Sequence, residues 1–315
     1  MILICGEALV DLFVSRDEYG NLATRAVPGG SPFNVAVGLR RLGEAAAFCG
    51  GLSSDAFGQA LYAKLETENV DLSYVLRSPC LSTISVIATD AGGHPSYSFH
   101  GEGKADRQVA VSDLPQDLPD TIGTITFGSY SLAVPPVGDA LLALAKRESG
   151  RRIISIDPNV RPTVTPDMLD WRARFEAFLP HANIIKVSEE DLQIAYPGTD
   201  FTSLVALWHE AGPSLVTITH GAHGATGFFR RRAPVTVSGR HVQVVDSVGA
   251  GDSFHAALLA SLSRMGRLHV ETLSQLSEIE MRQALEYAVV ASSITCTRAG
   301  ADGPTSAEVS AVLRE

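Results

Sequence analysis

The chain has 315 residues, 45% hydrophobic and 19% charged, and 35 acidic against 25 basic side chains leave a formal net charge of −10. This apolar content excludes a disordered or collagen-like chain, and the length suits one large α/β unit carrying a small appendage. The acidic balance argues against non-specific nucleic-acid binding, which needs clustered Lys and Arg, so any phosphate must be met by local groups.

In chain order, Met1-Ile2-Leu3-Ile4-Cys5-Gly6-Glu7 has no basic flank and too short an apolar run for a signal peptide. It reads as a buried strand over Ile2–Ile4, with Asp11 following soon after. No stretch approaches the roughly 18 to 20 apolar residues of a spanning helix, so no membrane partner is expected. Leu9–Val27 alternates polar and apolar residues, the period of a half-exposed strand. Pro28-Gly29-Gly30-Ser31-Pro32-Phe33-Asn34 then leads into a helix over Asn34–Leu42. The glycine pair permits close backbone approach to a polar ligand, and Asn34 offers a donor and an acceptor suited to sugar hydroxyls. A simple turn with an Asn near the cap would look the same.

Further strands are expected at Ala46–Cys49, Thr124–Phe127, Ile153–Ile156, Ile184–Lys186 and Leu215–Thr219, with helices at Val137–Arg147 and Leu204–Glu210 between them. Continuous apolar strands separated by helices imply a mostly parallel sheet covered on both faces. A second alternating region, Leu81–Val109, pairs with Leu9–Val27 as a small β excursion (9–27 and 81–110) from a single 1–315 α/β domain. The four cysteines Cys5, Cys49, Cys80 and Cys296 fit no zinc or redox spacing, which points to a reducing cytoplasm.

Chemistry-bearing residues recur just beyond these strands, where open α/β sheets bind ligands. Asp157-Pro158-Asn159-Val160-Arg161 presents an arginine able to bridge sugar or phosphate oxygens. In Lys186-Val187-Ser188-Glu189-Glu190-Asp191, Ser188 fits an N-cap and the acids could hold Mg²⁺ through water. Thr219-His220-Gly221-Ala222-His223-Gly224 suits a nucleotide-contacting loop. The strongest signal is Asp246-Ser247-Val248-Gly249-Ala250-Gly251-Asp252, read as a strand over Val242–Val245, a glycine turn and a helix from Asp252 to Met265, with a last helix over Glu280–Thr297. Such a turn aims backbone N–H groups and a helix dipole at an anion. Asp252 beside that anion would repel it, yet is well placed to take a proton from an attacking hydroxyl. A carboxylate that merely favours the helix start is the competing explanation.

These motifs, in this order over the whole chain, resemble the ribokinase-like (PfkB) carbohydrate kinases, and most of all bacterial fructokinases. The resemblance rests on Gly29-Gly30 with Asn34 and Arg41-Leu42-Gly43, Asp55 with Gly58, Thr219 with Gly221, and Asp246 with Gly249-Ala250-Gly251-Asp252. It implies a Rossmann-like three-layer α/β/α sandwich with a small β lid, often a dimerisation surface, so a homodimer is expected. It also implies ATP-dependent phosphorylation of a primary sugar hydroxyl, with fructose as the sugar. Asp252 would be the base and the Gly249–Ala250–Gly251 backbone the anion hole. Asp11, Gly29, Gly30, Asn34 and Arg161 would hold the sugar, and Lys186, Ser188, Thr219, Gly221 and Gly224 would approach ATP. Mg²⁺ would be reached through water by Asp191, and K⁺ would sit near Asp246, the Val248 carbonyl and the Thr295–Gly300 loop. The sequence departs from the family pattern at Ser188, Ser53, His100 and His255 with Ala257. Sugar-acid kinases of the 2-keto-3-deoxygluconate type and nucleoside kinases share these motifs, although the polar His94–Lys104 stretch disfavours a nucleoside. A silent sugar-binding sensor is disfavoured by the intact Gly-Ala-Gly-Asp, and a dehydrogenase by the lone Gly6 after the first strand.

Overall fold

The computed structural model describes residues 1–16, 19–89, 95–230 and 232–314. Residues 17–18 and 90–94, which include His94, lie outside the described residues. The main sheet has eight strands in the order β14-β13-β12-β11-β10-β9-β1-β4. These are β1 (Ile2–Cys5), β4 (Ala46–Cys49), β9 (Thr124–Gly128), β10 (Ile153–Asp157), β11 (Ile184–Ser188), β12 (Leu215–Thr219), β13 (Gly224–Phe229) and β14 (Val235–Ser238). From β12 to β4 all neighbours are parallel, and β13 and β14 extend one edge antiparallel.

The continuous apolar strands are buried on both faces, and the period of two sorts their side chains. Ile2 and Ile4 pack with the layer of helices Ser31–Arg41, Ala250–Arg264 and Glu278–Cys296. Leu3 and Cys5 face the opposite layer of Val137–Glu148, Met168–Glu176 and Phe201–Ala211. In that second layer Trp171 stacks on Phe175 at 5.2 Å between ring centres, and Trp208 meets both Phe175 and Tyr196 edge-on.

A separate four-stranded sheet has the order β3-β2-β7-β8, formed by β2 (Leu9–Arg16), β3 (Leu22–Gly29), β7 (Ile84–Thr89) and β8 (Pro95–His100). The two alternating segments therefore do pair with each other, through the parallel ladder of β2 and β7. Asp11, Ser85 and Phe99 stand opposite one another in register and so share one face. A short third sheet joins β5 (Gly51–Ser53) to β6 (Leu76–Ser78).

One expected strand is absent. Val242–Val245 is irregular, and Val244 and Val245 are 63% and 62% exposed. The chain leaves the sheet at Ser238, and the Val245 and Asp246 N–H groups bond to the Cys296 carbonyl at a helix end instead. Apolar composition suggested burial, but the segment pairs with a helix end rather than with the sheet. The Thr295–Gly300 loop also begins later than expected, because Thr295 is fully buried in the last turn of the helix Glu278–Cys296.

The second layer's aromatic cluster can be tested directly. The buried Trp171 Nε1 has no hydrogen-bond partner, so its ring contributes packing while its N–H is a cost. Trp171→Ala should lose about 3 kcal/mol or more in urea unfolding. Trp171→Phe, which keeps a ring and drops the orphaned N–H, should recover most of that loss.

Candidate active site

The carboxyl ends of β1, β9, β10 and β11 lie along one edge of the sheet and open into a cavity of about 640 Å³ roofed by the four-stranded sheet. Two helices start at this cavity without a capping side chain, Ser31–Arg41 after Gly30 and Ala250–Arg264 after Gly249. Asp55, Asp167, Asp200, Ser277 and Thr305, away from the cavity, and Ser188 on its wall cap their helices with side-chain oxygens. At the second start the Ala250 N–H bonds the Ser247 carbonyl at 3.2 Å, and the remaining first-turn N–H groups are left for a ligand. Backbone geometry demands glycine at both starts. Gly249 has φ 76° and Gly30 φ 104°, and a Cβ on Gly30 would fall 2.9 Å from the Glu7 carbonyl oxygen.

Asp252 lies in the first turn of the second helix and is 8% exposed. Ser31 Oγ donates to its Oδ1 at 2.6 Å, and Asn34 Nδ2 donates to its Oδ2 at 2.8 Å. Each carboxylate oxygen is therefore held by one donor from the facing helix, with lone pairs left toward the cavity. Sequence reasoning aimed Asn34 at the sugar. The structure gives its amide a bond to Asp252 and leaves its carbonyl oxygen uncommitted on the cavity wall. Ser31 was not singled out from the sequence.

Asp11, Gly30, Asn34 and Arg161 all line the cavity, as do Gly249, Gly251 and Asp252. Gly29 lies behind Asp11, and a Cβ there would come within 2.4 Å of Asp11 Oδ2, so glycine is what admits the carboxylate. Burial lifts the Asp11 carboxyl to about 6, opposed by the Ser85 hydrogen bond and the Arg161 charge and reinforced by the Asp252 charge. Ser85, Phe99 and Tyr130 complete this end of the cavity and carried no sequence signal.

The residues expected around ATP divide. Ser188 lines the cavity and also caps the helix Glu189–Ala195, donating to Asp191 Oδ2 at 2.6 Å while accepting from the Asp191 N–H. Asp191 Oδ1 accepts from the Val160 N–H at 2.8 Å, which ties the 157–161 turn to that helix. Lys186 does not reach the open cavity. It is 3% exposed and paired with Asp157 at 2.8 Å, although its ammonium lies directly behind Gly251. Burial alone would pull the Lys186 ammonium down, but the adjoining Asp157 carboxylate outweighs it and keeps the lysine charged. His255, a departure from the family pattern, is buried beside this pair and bonded to Ser155 Oγ at 2.9 Å; burial, helped by the Lys186 charge, pushes it down to about 3 and keeps it neutral.

Thr219, Gly221 and Gly224 sit at the end of β12, next to Ser188 in register but outside the cavity wall. His220 bonds Glu189 at 2.8 Å, which ties this loop to the Ser188 helix. Asp246 accepts from the Val248 N–H at 3.0 Å and the Gly300 N–H at 2.8 Å, so it does join the two segments expected around a cation. Among the described residues no group of three His, Cys, Asp or Glu is placed to hold a metal by itself.

An uncapped helix start facing a fixed carboxylate, inside a roofed polar cavity, has the layout of a phosphoryl transferase acting on a hydroxyl. The model of the pfkB family carbohydrate kinases matches residues 2–308. A fructokinase of Rhizobium leguminosarum bv. trifolii is 39% identical over 90% of this chain and 86% of its own length. Among solved structures, the fructokinase of Xylella fastidiosa with bound ATP superposes with a TM-score of 0.92 at 26% identity, covering 99% of this chain and 98% of that one. The fructokinase of Vibrio cholerae O395 with fructose, ADP and calcium ion has a TM-score of 0.83 at 26% identity, covering 98% and 97%; a double mutant of it carries fructose, ADP and potassium ion. The chain belongs to the pfkB family of carbohydrate kinases.

At the floor of the cavity lies a further carboxyl, Glu7, 1% exposed and bonded by Ser131 Oγ at 2.5 Å. Burial raises it from 4.5 to about 7, the Ser131 and Ser129 bonds opposing. The fold therefore holds its proton more tightly than the unfolded chain. That contribution is complete below pH 4.5 and is lost as pH rises to about 7. Between about pH 5 and pH 8 the wild type should lose about 2–3 kcal/mol of stability relative to Glu7→Gln. Parallel urea-unfolding curves for the two proteins across that range would contradict the assignment.

Proposed function

We propose that the protein transfers the γ-phosphoryl group of ATP to the primary hydroxyl of a sugar, with fructose as the substrate. The observation that carries this reading is the Asp252 carboxylate, fixed by Ser31 and Asn34 at the uncapped start of the helix Ala250–Arg264. The 39% identity to a fructokinase supports the choice of sugar.

The sugar lies under the four-stranded sheet, which acts as a lid. Asp11 accepts from its hydroxyls, Arg161 donates to its oxygens, and the Asn34 carbonyl accepts a further hydroxyl. The primary hydroxyl then faces Asp252, which takes its proton as the oxygen attacks phosphorus. The Gly249, Ala250 and Gly251 backbone receives the transferring phosphoryl group, and the buried Lys186 ammonium adds positive potential from behind Gly251. Ser188 and the Thr219, Gly221 and Gly224 loop approach the nucleotide. Glu190 and Asp191 on the cavity wall suit Mg²⁺, an oxygen-seeking ion that keeps its waters and offsets phosphate charge when it arrives with ATP. Asp246, the Val248 carbonyl and the loop ending at Gly300 provide oxygens for K⁺ beside the anion hole.

The lid's outer face carries Leu12, Val14 and Val86, opposite the face bearing Asp11 and Ser85, and supports a homodimer formed through the lid. The free cysteines fit a cytoplasmic enzyme, and no helix among the described residues is long and apolar enough to cross a membrane.

Asp252→Asn should keep the fold and bind sugar while turnover falls by about 10²–10⁴. Sugar binding by calorimetry and ADP release measure the two halves, and near-normal turnover would refute the base. A panel of hexoses, keto-sugar acids and nucleosides should give the fastest ADP release with fructose. Because Asp11 accepts from the sugar more strongly as the carboxylate than as the neutral acid, kcat/KM for sugar should decline as pH falls through about 6. Asp11→Asn should remove that inflection along with most of the affinity.

A further inference from the structure

The roof of the cavity is fastened to its wall at one buried carboxylate that takes no part in the reaction. Asp106 is 1% exposed and sits in the turn Ala105–Arg107, just past β8. Thr83, the residue before β7, donates its hydroxyl to Asp106 Oδ1 at 2.5 Å. Tyr130, in the turn after β9 of the main sheet, donates its hydroxyl to Asp106 Oδ2 at 2.7 Å. Both stems of the β7–β8 hairpin thus meet at one side chain, and the same side chain grips the main sheet. The Ala105 N–H also bonds the Leu81 carbonyl at 3.0 Å, closing the base of the hairpin.

Tyr130 is itself part of the cavity wall, and so is Phe99 on β8. The two rings meet edge-on with centres 6.3 Å apart, and the Arg107 guanidinium covers the Tyr130 ring at 4.8 Å. That stack is possible because Gly101 has no side chain, as a Cβ there would fall 2.3 Å from Arg107 Nη2. The carboxylate, its two hydroxyl donors and the two rings therefore form one connected unit. One end of the unit is the hairpin hinge, and the other is the wall beside Asp11 and Arg161.

We propose that Asp106 is a positioning residue for the sugar: by clamping Thr83 and Tyr130 it sets where the Tyr130–Phe99 wall stands, and so which sugars fit. This rests on reading the cavity as the sugar site. The clamp touches neither the Gly249–Gly251 backbone nor Ser188, so ATP binding is outside its reach. A purely structural role would lower stability and the active fraction while leaving both KM values alone.

The test measures kcat, KM for sugar and KM for ATP in Tyr130→Phe, Asp106→Asn, Thr83→Val and Thr83→Ser, with thermal unfolding alongside. Tyr130→Phe keeps the ring and loses only the bond, so it carries the test even if Asp106→Asn fails to fold. Leaving a buried carboxylate oxygen without its hydroxyl should raise KM for sugar about tenfold. KM for ATP should stay within about twofold of wild type, and preference for fructose over a poorer hexose should narrow. Thr83→Ser, which keeps the hydroxyl, should behave as wild type. Tyr130→Phe combined with Asp106→Asn should be no worse than Asp106→Asn alone, because both break one unit. An unchanged KM for sugar in Tyr130→Phe, or equal rises in both KM values, would overturn the proposal. Failure of the sugar-kinase reading shows separately, as absence of sugar phosphorylation by the wild type.

Discussion

The site depends on a carboxylate placed where a phosphate is also wanted. The start of the helix Ala250–Arg264 attracts anions through its free N–H groups and its dipole, yet Asp252 occupies its first turn. Two neutral donors from the facing helix, Ser31 and Asn34, hold that charge in place, while the Gly249 and Gly251 amides face the cavity and the Ala250 N–H is bonded to the Ser247 carbonyl. In the proposed reaction the carboxylate and the amides would serve different oxygens, the attacking hydroxyl and the transferring phosphoryl group. Much of the surrounding architecture follows from keeping these two helix starts face to face. Gly30 and Gly249 allow the turns, and the helices pack side by side in one apolar layer.

Buried charge is the cost of this arrangement. Asp11, Asp157, Glu7 and Asp106 are all pushed upward, in each case mainly by burial. Lys186 answers the charge at Asp157, and Arg161 faces Asp11 across the cavity. Glu7 and Asp106 are met by hydroxyls instead. Hydroxyl donors fix geometry without neutralising charge. Such a set places side chains firmly and makes stability sensitive to pH.

The legible part of the sequence was the part whose chemistry is local. Gly249, Gly251 and Asp252 stand within a few positions of each other, and a glycine turn before a helix marks in the sequence a helix start that suits an anion. The parallel sheet showed in its apolar runs, and the four-stranded sheet in its alternation. What stayed hidden was pairing across sequence distance. Ser31 meets Asp252 from 221 positions away, and no local pattern marks it. Lys186 was expected near ATP from the family resemblance, and only the neighbouring strand β10 reveals Asp157 as its partner. Val242–Val245 misled for the opposite reason, since Val244 and Val245 are exposed rather than buried in a ladder.

The central claim is that one carboxylate and one helix start act on the two partners of one reaction, the attacking hydroxyl and the transferring phosphoryl group. A crystal structure of the complex with fructose, ADP and tetrafluoroaluminate tests it most directly. The account predicts the fluoroaluminate seated on the Gly249–Gly251 N–H groups, with the primary hydroxyl about 3 Å from an Asp252 oxygen and in line with the leaving phosphate. A hydroxyl directed at any other side chain, or a fluoroaluminate bound away from that helix start, would contradict it.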